Sequence, residues 1–318
     1  MPEGPEVRQI TTYLDEQLAG KQILSIEHDT RSKYRNGIKG YAEFSRHLPA
    51  TIMNVTCKGK CIVFICQDQD EQNVYITSTL GMEGFWTVGT QPFNKFSNLW
   101  FSIGDVSEKE EDEAVDDQPE PESGKDEVDE EQEPIRAYFN DSCKFGNLTL
   151  FTDFDDFSRK MSEIGTDYLA FSVALHEEHE QDLDEGEKIE FKDWKTTLQR
   201  WGHKQICQFL MEQKFYSGIG NYLKSEILYK SKVKPNRTIS TLSGDECQAI
   251  FDNTLAIIYE AFKGGHEKYS MYFNPEGECG SSFERAVYDK KVDPLGNPVV
   301  RSEFADGRAS HWVAEIQV

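Results

Sequence analysis

Hydrophobic residues recur at helical spacing near the start of the chain and then change to the spacing of strands. A helix is predicted over residues 5–19, and Gly20 ends it. The side chains on its apolar face are Val7, Ile10, Leu14 and Leu18. Short apolar or alternating segments follow without helices between them: ILSIEH, TIMNVTC, KCIVFIC, NVYITST, FWTVG, LWFSI, IRAYF and LTLF. This run of short strands predicts a β-sandwich or barrel rather than a parallel sheet.

Helical spacing returns after about residue 155. The segments that have it are WKTTLQRWGHKQICQFLMEQ, NYLKSEILYKSKV and SGDECQAIFDNTLAIIYEAFK. From Phe283 onward the pattern alternates again, and the turn sequences DPLGNP and ADG predict a β-hairpin. We therefore expect an α+β protein with an N-terminal helix and β-sandwich domain at 1–155, a helical domain at 156–282 and a terminal hairpin at 283–318.

The distribution of charge bears on the choice of partner. The formal net charge is -23, yet residues 105–133 hold 16 acids and two lysines, and residues 176–190 hold eight acids and one lysine. Residues 105–133 are almost without apolar side chains, so we expect a disordered acidic insert between two strands. Residues 192–237 carry ten Lys or Arg against three acids. That stretch is a candidate phosphate-binding face, with a solvated basic surface as the alternative.

Size and composition predict an intracellular protein. The 318 residues suffice for two domains with their own cores. No segment approaches the roughly 20 apolar residues of a membrane span, and no secretory signal is visible. Seven cysteines, scattered apart from Cys57, Cys61 and Cys66, argue for a reducing compartment and against a disulfide framework. We expect a monomer in the nucleus or cytoplasm, neither secreted nor bound to a membrane.

Pro2 and Glu3 are the first candidates for chemistry. Removal of Met1 would leave Pro2 with a secondary amine, which can attack the anomeric C1′ of a deoxyribose and expel the base through an iminium intermediate. The carboxylic acid of Glu3 can move protons during ring opening and elimination. A helix that starts near Pro5 would bring its positive end close to Glu3 and Glu6. Ordinary helix capping by Pro-Glu is the alternative.

Two further segments have the residue types of a phosphate-binding site. In SGIGNYLKSE, residues 217–226, glycines form a turn before Asn221 and a helix, where backbone N–H groups can approach a phosphate. In ADGRASHWV, Arg308 follows the turn glycine and would present a forked cation at a hairpin tip. Taken alone, a plain helix–turn–helix corner and a solvated arginine are the alternatives.

Together these segments resemble the Fpg/Nei DNA glycosylases in order and spacing. The matching motifs are MPEGPEV, CKGKCIVF around Lys60, TLGMEG at 79–84, KFG at 144–146, GIGNYLKSE and GRASHWV. The resemblance spans nearly the whole chain, with the acidic segment 105–133 as an insertion. It implies a β-sandwich domain followed by a helix–two-turn–helix domain with a finger-like hairpin, which agrees with the predicted elements.

The resemblance also implies roles for individual residues. In the catalytic site, Pro2 would be the nucleophile, Glu3 the general acid and Lys60 a phosphate-binding cation beside them. Such enzymes flip the damaged nucleotide out of the helix, and side chains fill the vacated space. The residues expected to contact the DNA are Glu6, Met82, Lys144, Phe145, Asn221 and Arg308. Asn221 and Arg308 would clamp the backbone around the lesion.

The hairpin differs from the usual finger of that family. The usual finger binds zinc through two Cys-x-x-Cys pairs, whereas this region offers Cys279 and His311, too few for tetrahedral zinc. The chain thus resembles the zincless-finger branch, in which strand pairing alone holds the hairpin and Arg308 is kept. We therefore expect neither a metal nor another cofactor.

Further departures from the family bear on the lesion. Cys143 stands where an inserting arginine is usual, and a cysteine cannot hydrogen-bond an orphaned base in the same way, unless Lys144 substitutes. Thr79 replaces a histidine that often contacts phosphate. The stretch 264–283, at the place of the loop that covers 8-oxoguanine in guanine-directed members, gives no clear match. Oxidised pyrimidines, hydantoins and formamidopyrimidines are therefore expected to be favoured over 8-oxoguanine.

The predicted function is that of a bifunctional DNA glycosylase/AP lyase of base excision repair. It would act on damaged duplex or single-stranded DNA through a Pro2 Schiff base, followed by β/δ-elimination. One rival is a DNA-binding protein of the same fold that has lost catalysis, which predicts salt-sensitive binding without covalent trapping. The other is an unrelated N-terminal-amine hydrolase, which predicts no binding to DNA.

Overall fold

The computed structural model describes residues 2–92, 95–105, 134–178, 181, 183–184, 186–264 and 283–318. The predicted acidic insert lies outside these ranges apart from Asp105, as do Cys279 and the interior of the stretch 264–283. In the described ranges, no helix is both long enough and apolar enough to span a membrane.

The first half of the chain contains the predicted helix and all the predicted strands. Helix α1 covers Gly4–Leu18, and Gly20 beyond it has a φ of +81°. The strands are β1 (Gln22–His28), β2 (Ala50–Lys58), β3 (Cys61–Gln67), β4 (Asn73–Thr79), β5 (Phe85–Gly89), β6 (Ser97–Gly104), β7 (Arg136–Asn140) and β8 (Asn147–Phe151). A short helix α2 (Tyr41–Phe44) between β1 and β2 had not been predicted.

These strands form an antiparallel sheet that folds over into a sandwich. Their hydrogen-bonded order is β5-β7-β6-β1-β2-β3-β4-β8. The two halves join at β1 and β2, which pair at two positions near the start of each strand. Phe64 of β3 packs edge-on against Trp86 of β5 at 5.4 Å and Phe101 of β6 at 5.6 Å, so the halves face each other across one core. The predicted β-sandwich is confirmed.

The second half is helical with two very short strands. Its elements are α3 (Phe154–Ser162), β9 (Thr166–Asp167), α4 (Tyr168–His176), α5 (Phe191–Arg200), α6 (Ile206–Met211), β10 (Tyr216–Ser217), α7 (Asn221–Lys230) and α8 (Gly244–Gly264). The segment 194–213, predicted as helical, is divided by a turn at 201–205 that contains Gly202. The apolar faces of the helices α4 to α8 share a second core that includes Trp194, Leu223 and Ile258.

Two features link the halves to each other and to the tail. Helix α3 spans residue 155, where a domain boundary was predicted, and stacks Phe157 on Tyr75 of β4 at 4.1 Å. That boundary stays a prediction. The C-terminal hairpin is confirmed as β11 (Val300–Glu303) paired antiparallel with β12 (Ala309–Trp312). Because β12 packs against α7, the hairpin stands beside the start of that helix.

Candidate active site

Glu3 lies where the N-terminal helix meets the helical part of the protein. Its carboxylate accepts backbone N–H hydrogen bonds from Gly220 at 2.6 Å, Tyr222 at 2.8 Å and Leu223 at 3.2 Å. These donors surround the first turn of α7, where N–H groups have no partner within the helix. Glu3 is 1% exposed, so a residue from the start of the chain satisfies a helix end 217 positions away.

The close approach of Glu3 to α7 depends on glycine at position 220. A Cβ atom on Gly220 would lie 2.2 Å from Cδ of Glu3, which no unbonded pair tolerates. Just before it, the Gly4 N–H donates to the Gly218 carbonyl at 2.8 Å, and Gly218 has a φ of +107° that favours glycine. The glycines of the GIGN segment thus allow the two backbones to meet.

Glu6 fixes the backbone next to Pro2. One of its carboxylate oxygens accepts the Glu3 N–H at 2.8 Å, and the other accepts the Tyr222 hydroxyl at 2.8 Å. Glu3 and Glu6 also form the capping box of α1. Helix capping, considered above as an alternative to chemistry, is therefore the means by which these acids are positioned. Burial raises the pKa of Glu6 above its ordinary value.

Lys60 reaches the same place from the turn between β2 and β3. Its Nζ donates to the Ile219 carbonyl at 2.6 Å, one residue before Gly220. The turn is held by Asp167, which accepts the Gly59 N–H at 2.8 Å, and Gly59 has a φ of +57°. A tight turn anchored at the start of α4 therefore delivers the lysine to the GIGN segment.

Burial moves the pKa values of Glu3 and Lys60 toward neutrality. It raises the pKa of Glu3 to about 7, an effect that the charge of Lys60 and the N–H bonds from α7 partly offset. It lowers the pKa of Lys60 to about 8, with the Glu3 charge opposing this shift and the Arg308 charge adding to it. A carboxylic acid that keeps its proton near neutral pH is suited to proton donation.

Pro2 is buried next to these groups. Its neighbour is fixed at both ends, because the Glu3 N–H is bonded to Glu6 and the Glu3 carboxylate is bonded to α7. A secondary amine at this position would adjoin a protonated acid and a lysine ammonium. Imine formation at a sugar carbon requires such a nucleophile and such a proton donor. The structure therefore brings together Pro2, Glu3, Glu6 and Lys60.

Asn221 and Arg308 lie where the hairpin meets α7. The Asn221 side-chain amide donates to the Ala309 carbonyl at 2.9 Å, which ties the first residue of the helix to β12. Arg308 is exposed at the end of the hairpin turn. Its positive charge is one of the causes of the lowered pKa of Lys60.

Lys144 and Phe145 lie in a loop that Asp141 shapes. The Asp141 carboxylate accepts the N–H groups of Cys143 at 3.1 Å, Lys144 at 2.9 Å and Gly146 at 2.7 Å. Lys144 has a φ of +60°. The Phe145 side chain is 65% exposed. The loop therefore presents an aromatic ring to solvent on a backbone that is held by internal hydrogen bonds.

Met82 stands on a neighbouring loop that contacts this one. Gly81 has a φ of +63°, and a Cβ there would lie 2.5 Å from the Gly146 nitrogen. Glu83 accepts a hydrogen bond from the Ser142 hydroxyl at 2.7 Å. Met82 is 50% exposed. We call residues 81–83 and 141–146 the wedge loops, since they carry the hydrophobic side chains predicted to fill the DNA stack.

Three buried residues of structural importance were not among the predicted site residues. Glu226 accepts the N–H groups of residues 286–288 at 2.8, 3.0 and 2.8 Å, which fixes the start of the C-terminal segment. Asp141 had a sequence signal, because an acid before a short polar turn is typical of an Asx turn. No pattern in the sequence connects Tyr222 with Glu6, 216 positions away.

The hairpin is held by protein groups at its first turn. The Asp293 carboxylate accepts the N–H groups of Leu295 at 2.9 Å and Asn297 at 2.7 Å. His311 lies with Nε2 3.6 Å from Asp289 Oδ1. Within the described ranges, no three His, Cys, Asp or Glu side chains are placed to bind a metal ion together.

Comparisons with known proteins agree with this architecture. Residues 1–148 match the formamidopyrimidine-DNA glycosylase N-terminal domain, and residues 185–272 match the formamidopyrimidine-DNA glycosylase H2TH domain. The formamidopyrimidine-DNA glycosylase of Streptococcus pneumoniae is 28% identical, with 100% of this chain and 99% of that protein covered. The Bacillus cereus protein of the same description is 24% identical, with 98% and 97% covered.

Solved structures show the same fold. Lactococcus lactis Fpg in complex with DNA that contains FAPY-dG has a TM-score of 0.72 at 21% identity, with 98% of each chain covered. MutM in complex with DNA that contains carbocyclic 8-oxo-G has a TM-score of 0.73 at 21% identity, with 99% of each chain covered. The two domain matches together span most of the sequence, including both sides of the Glu3 site. The chain therefore belongs to the formamidopyrimidine-DNA glycosylase family, whose members are DNA N-glycosylases with AP lyase activity.

Proposed function

We propose that this protein excises oxidised bases from DNA with Pro2 as the nucleophile and Glu3 as the proton donor. The observation that carries this assignment is the buried Glu3 carboxyl, which adjoins Pro2 in the chain and is held by three N–H groups at the start of α7. An acid so placed, with its pKa raised to about 7, carries a proton for part of the time at neutral pH.

The proposed reaction starts once Met1 has been removed. The Pro2 nitrogen attacks C1′ of the damaged nucleotide and the bond from C1′ to the base breaks. The base leaves with the bonding electron pair and takes up the proton that the Pro2 nitrogen releases. Glu3 protonates O4′ of the sugar as the ring opens, which leaves an iminium between C1′ and the Pro2 nitrogen. Loss of a C2′ proton then expels the 3′ phosphate, and a second elimination expels the 5′ phosphate.

Cations around Glu3 are proposed to bind the DNA backbone. Lys60 donates to the Ile219 carbonyl within the GIGN turn, and Arg308 stands exposed at the hairpin tip. A guanidinium binds two phosphate oxygens at once, which gives orientation as well as affinity. We propose that Asn221 and Arg308 clamp the strand at the lesion while Glu6 keeps the Pro2 backbone in place.

The wedge loops are proposed to fill the space left by the flipped nucleotide. Met82 and Phe145 are exposed hydrophobic side chains on loops that contact each other. Lys144 is the cation next to them and the proposed partner of the orphaned base. With Cys143 in place of an inserting arginine, we propose that oxidised pyrimidines, hydantoins and formamidopyrimidines are preferred over 8-oxoguanine.

We further propose that the hairpin works without zinc. Two sets of contacts support this proposal: Asp293 binds N–H groups within the first turn, and Asn221 binds β12. Side chains there restrain the backbone, as metal ligands do in a zinc finger. No diffusible cofactor takes part in the proposed chemistry. We propose that the enzyme acts as a monomer on damaged DNA inside the cell.

Borohydride trapping on duplex DNA with an abasic site tests the nucleophile. Reduction of the iminium should give a covalent complex, and sequencing of the cross-linked peptide should place the adduct at Pro2. A variant with one extra residue before Pro2 is the matched control, because it blocks the amine and leaves every other group in place. The same assay with thymine glycol, hydantoin, formamidopyrimidine and 8-oxoguanine substrates ranks the lesions.

Two outcomes would contradict the proposal. An adduct that forms equally well in the extended variant would assign the nucleophile to another residue. Absence of any adduct from protein with a free Pro2 amine that still binds the DNA would favour the catalytically inactive DNA-binding protein. If 8-oxoguanine ranks first, the proposed lesion preference is wrong while the proposed nucleophile stands.

A further inference from the structure

The hairpin turn and α7 are joined by an ion pair that is almost completely removed from solvent. Nζ of Lys224 on α7 contacts the Asp306 carboxylate in the turn, and the two side chains are 0% and 2% exposed. The proposed chemistry uses neither residue. A buried ion pair gains little net stability, because the cost of desolvating both charges offsets their attraction. Its presence therefore calls for a role other than stability.

The Asp306 carboxylate connects Lys224 to the backbone of Arg308. One of its oxygens contacts Lys224, and the other accepts the Arg308 N–H at 3.4 Å. On the other side of the turn, the Ala305 N–H donates to the Gln205 side chain at 3.2 Å. The exposed arginine thus follows a turn whose backbone is bonded on both sides, to the buried Asp306 carboxylate and to the Gln205 side chain.

The pair is one of three contacts that neighbouring residues of α7 make with the hairpin. Asn221 donates to the Ala309 carbonyl at 2.9 Å, and the Ser225 hydroxyl accepts the His311 N–H at 3.3 Å. These residues and Lys224 are three and four positions apart, so they share one face of the helix. The Asn221 and Ser225 contacts hold the strand β12, whereas the contact of Lys224 reaches the turn that precedes it.

We propose that Lys224 and Asp306 are a positioning pair that fixes the direction of Arg308 toward the DNA backbone. The proposal rests on the phosphate-clamping role proposed above for Arg308. Hydrogen bonds between uncharged groups would keep the hairpin folded. A buried ion pair restricts the turn to one arrangement, because any other would leave the two buried charges unpaired. Helix α7 thus sets the position of the turn that precedes Arg308, and the N-terminus of the same helix binds Glu3.

Affinity for an uncleavable abasic analogue tests the pair. The ligand is a duplex with one tetrahydrofuran residue. The variants are Arg308→Ala, Lys224→Met, Lys224→Met/Arg308→Ala and the apolar double variant Lys224→Met/Asp306→Leu. Arg308→Ala should weaken binding about tenfold, the equivalent of one charge-assisted hydrogen bond. Lys224→Met should give a similar loss, and the loss should vanish when Arg308 is already alanine. Lys160→Met, on the exposed face of α3, is the matched control and should bind as the unmodified protein does.

The apolar double variant separates positioning from packing. It leaves no unpaired charge in the interior, so it should fold even where Lys224→Met does not. If the pair positions Arg308, the double variant still binds about tenfold more weakly, while single-turnover trapping at saturating DNA keeps its rate. If the double variant binds as tightly as the unmodified protein, the pair serves packing alone and the proposal is overturned.

The design distinguishes failure of this inference from failure of the proposed function. A wild-type affinity in Arg308→Ala would remove the clamping role and, with it, the positioning role, whereas trapping at Pro2 would still report on the nucleophile. Suppose that Arg308→Ala binds tenfold more weakly and that Lys224→Met causes the same further loss whether or not Arg308 is present. The clamp would then stand, and only the positioning pair would be overturned.

Discussion

Glu3 and Asp141 are buried carboxylates that each accept three backbone N–H hydrogen bonds, but they serve different regions of the molecule. The donors to Glu3 come from α7, 217 or more positions away, so its bonds join two parts of the chain. The donors to Asp141 all lie within the next five residues, so its bonds shape one loop. Three accepted N–H groups thus connect distant segments at Glu3 and shape a local turn at Asp141. We call the contact of Glu3 with α7 the joint.

The difference lies in which group is being positioned. In the joint, the acid itself is the positioned group, and its burial raises its pKa to about 7. In the wedge loops, the acid is the fixed point, and the positioned group is the exposed ring of Phe145. Changes to the joint should therefore alter chemistry, whereas changes to the wedge loops should alter the recognition of a flipped nucleotide.

Gly220→Ala should have the largest effect, because it separates Glu3 from α7. The new Cβ would lie 2.2 Å from Cδ of Glu3, so the acid must leave its N–H donors. We expect base excision to fall by about 10²- to 10⁴-fold, the usual contribution of a general acid, and stability to fall by about 1–3 kcal/mol from overpacking. Single-turnover excision and thermal unfolding measure the two effects.

The control for that change is Gly89→Ala at the end of β5. No atom lies within 4 Å of the place where its Cβ would stand. It should therefore leave both excision and unfolding within about 0.5 kcal/mol of the unmodified protein, as is usual for surface substitutions. Equal activity in the two alanine variants would mean that the contact between Glu3 and α7 is dispensable.

Local hydrophobic patterns predicted many of the helices and strands, but they did not predict the contact between Glu3 and α7. The helix over 5–19 and the eight strand segments were predicted because hydrophobic spacing reports which face of an element is buried. The helices α3 and α4 were not predicted, because at nine residues each they are shorter than the stretch over which helical periodicity is distinctive. The pairing of Glu3 with α7 and of Lys224 with Asp306 joins residues distant in sequence, and periodicity contains no information on such partners.

Glu3→Gln removes the proton donor, so it should lower the rate of excision and change its pH dependence. Its N–H₂ group must also face one of the three N–H donors, which costs one hydrogen bond of the joint. Excision should fall by about 10²- to 10⁴-fold at neutral pH. In the unmodified protein, excision should decline as pH rises through about 7, because Glu3 then loses its proton. The variant should lack that decline. Glu16→Gln, exposed on the same helix, is the matched control and should keep both the rate and the decline.

The free energy of unfolding should also depend on the ionisation of Glu3, and it should fall as pH rises. The pKa of Glu3 is raised in the folded protein from 4.5 to about 7. Between these values the folded protein keeps a proton that the unfolded chain has released, so its stability falls as pH rises and levels off above about 7. The slope should become shallower in denaturant unfolding of Glu3→Gln, and the slope that remains belongs to groups such as Glu6, whose pKa burial also raises. A slope that remains unchanged would show that another group titrates in this range.

Asp141→Asn should have the smallest effect, and the effect should depend on the lesion. An amide can replace one carboxylate oxygen but turns an N–H₂ toward one of the three donors, so the loop loses one hydrogen bond. One such bond is worth about 0.5–1.5 kcal/mol, so affinity for a tetrahydrofuran duplex should fall about two- to tenfold. Affinity for undamaged duplex should stay the same, because the wedge loops insert where a nucleotide has been flipped out.

Asp68→Asn is the appropriate control for the wedge loops. Asp68 also accepts backbone N–H groups, from Asp70 at 2.9 Å and Gln72 at 2.8 Å, in the turn between β3 and β4. Both donors bind the same oxygen, so asparagine keeps them and changes only the contact of the other oxygen with His47. Affinity for either duplex should not change. If Asp141→Asn weakened binding to damaged and undamaged duplex equally, the loop would be a general DNA contact. The distinction between a joint that serves chemistry and a loop that serves lesion recognition would then fail on the loop side, while the Glu3 predictions would be unaffected.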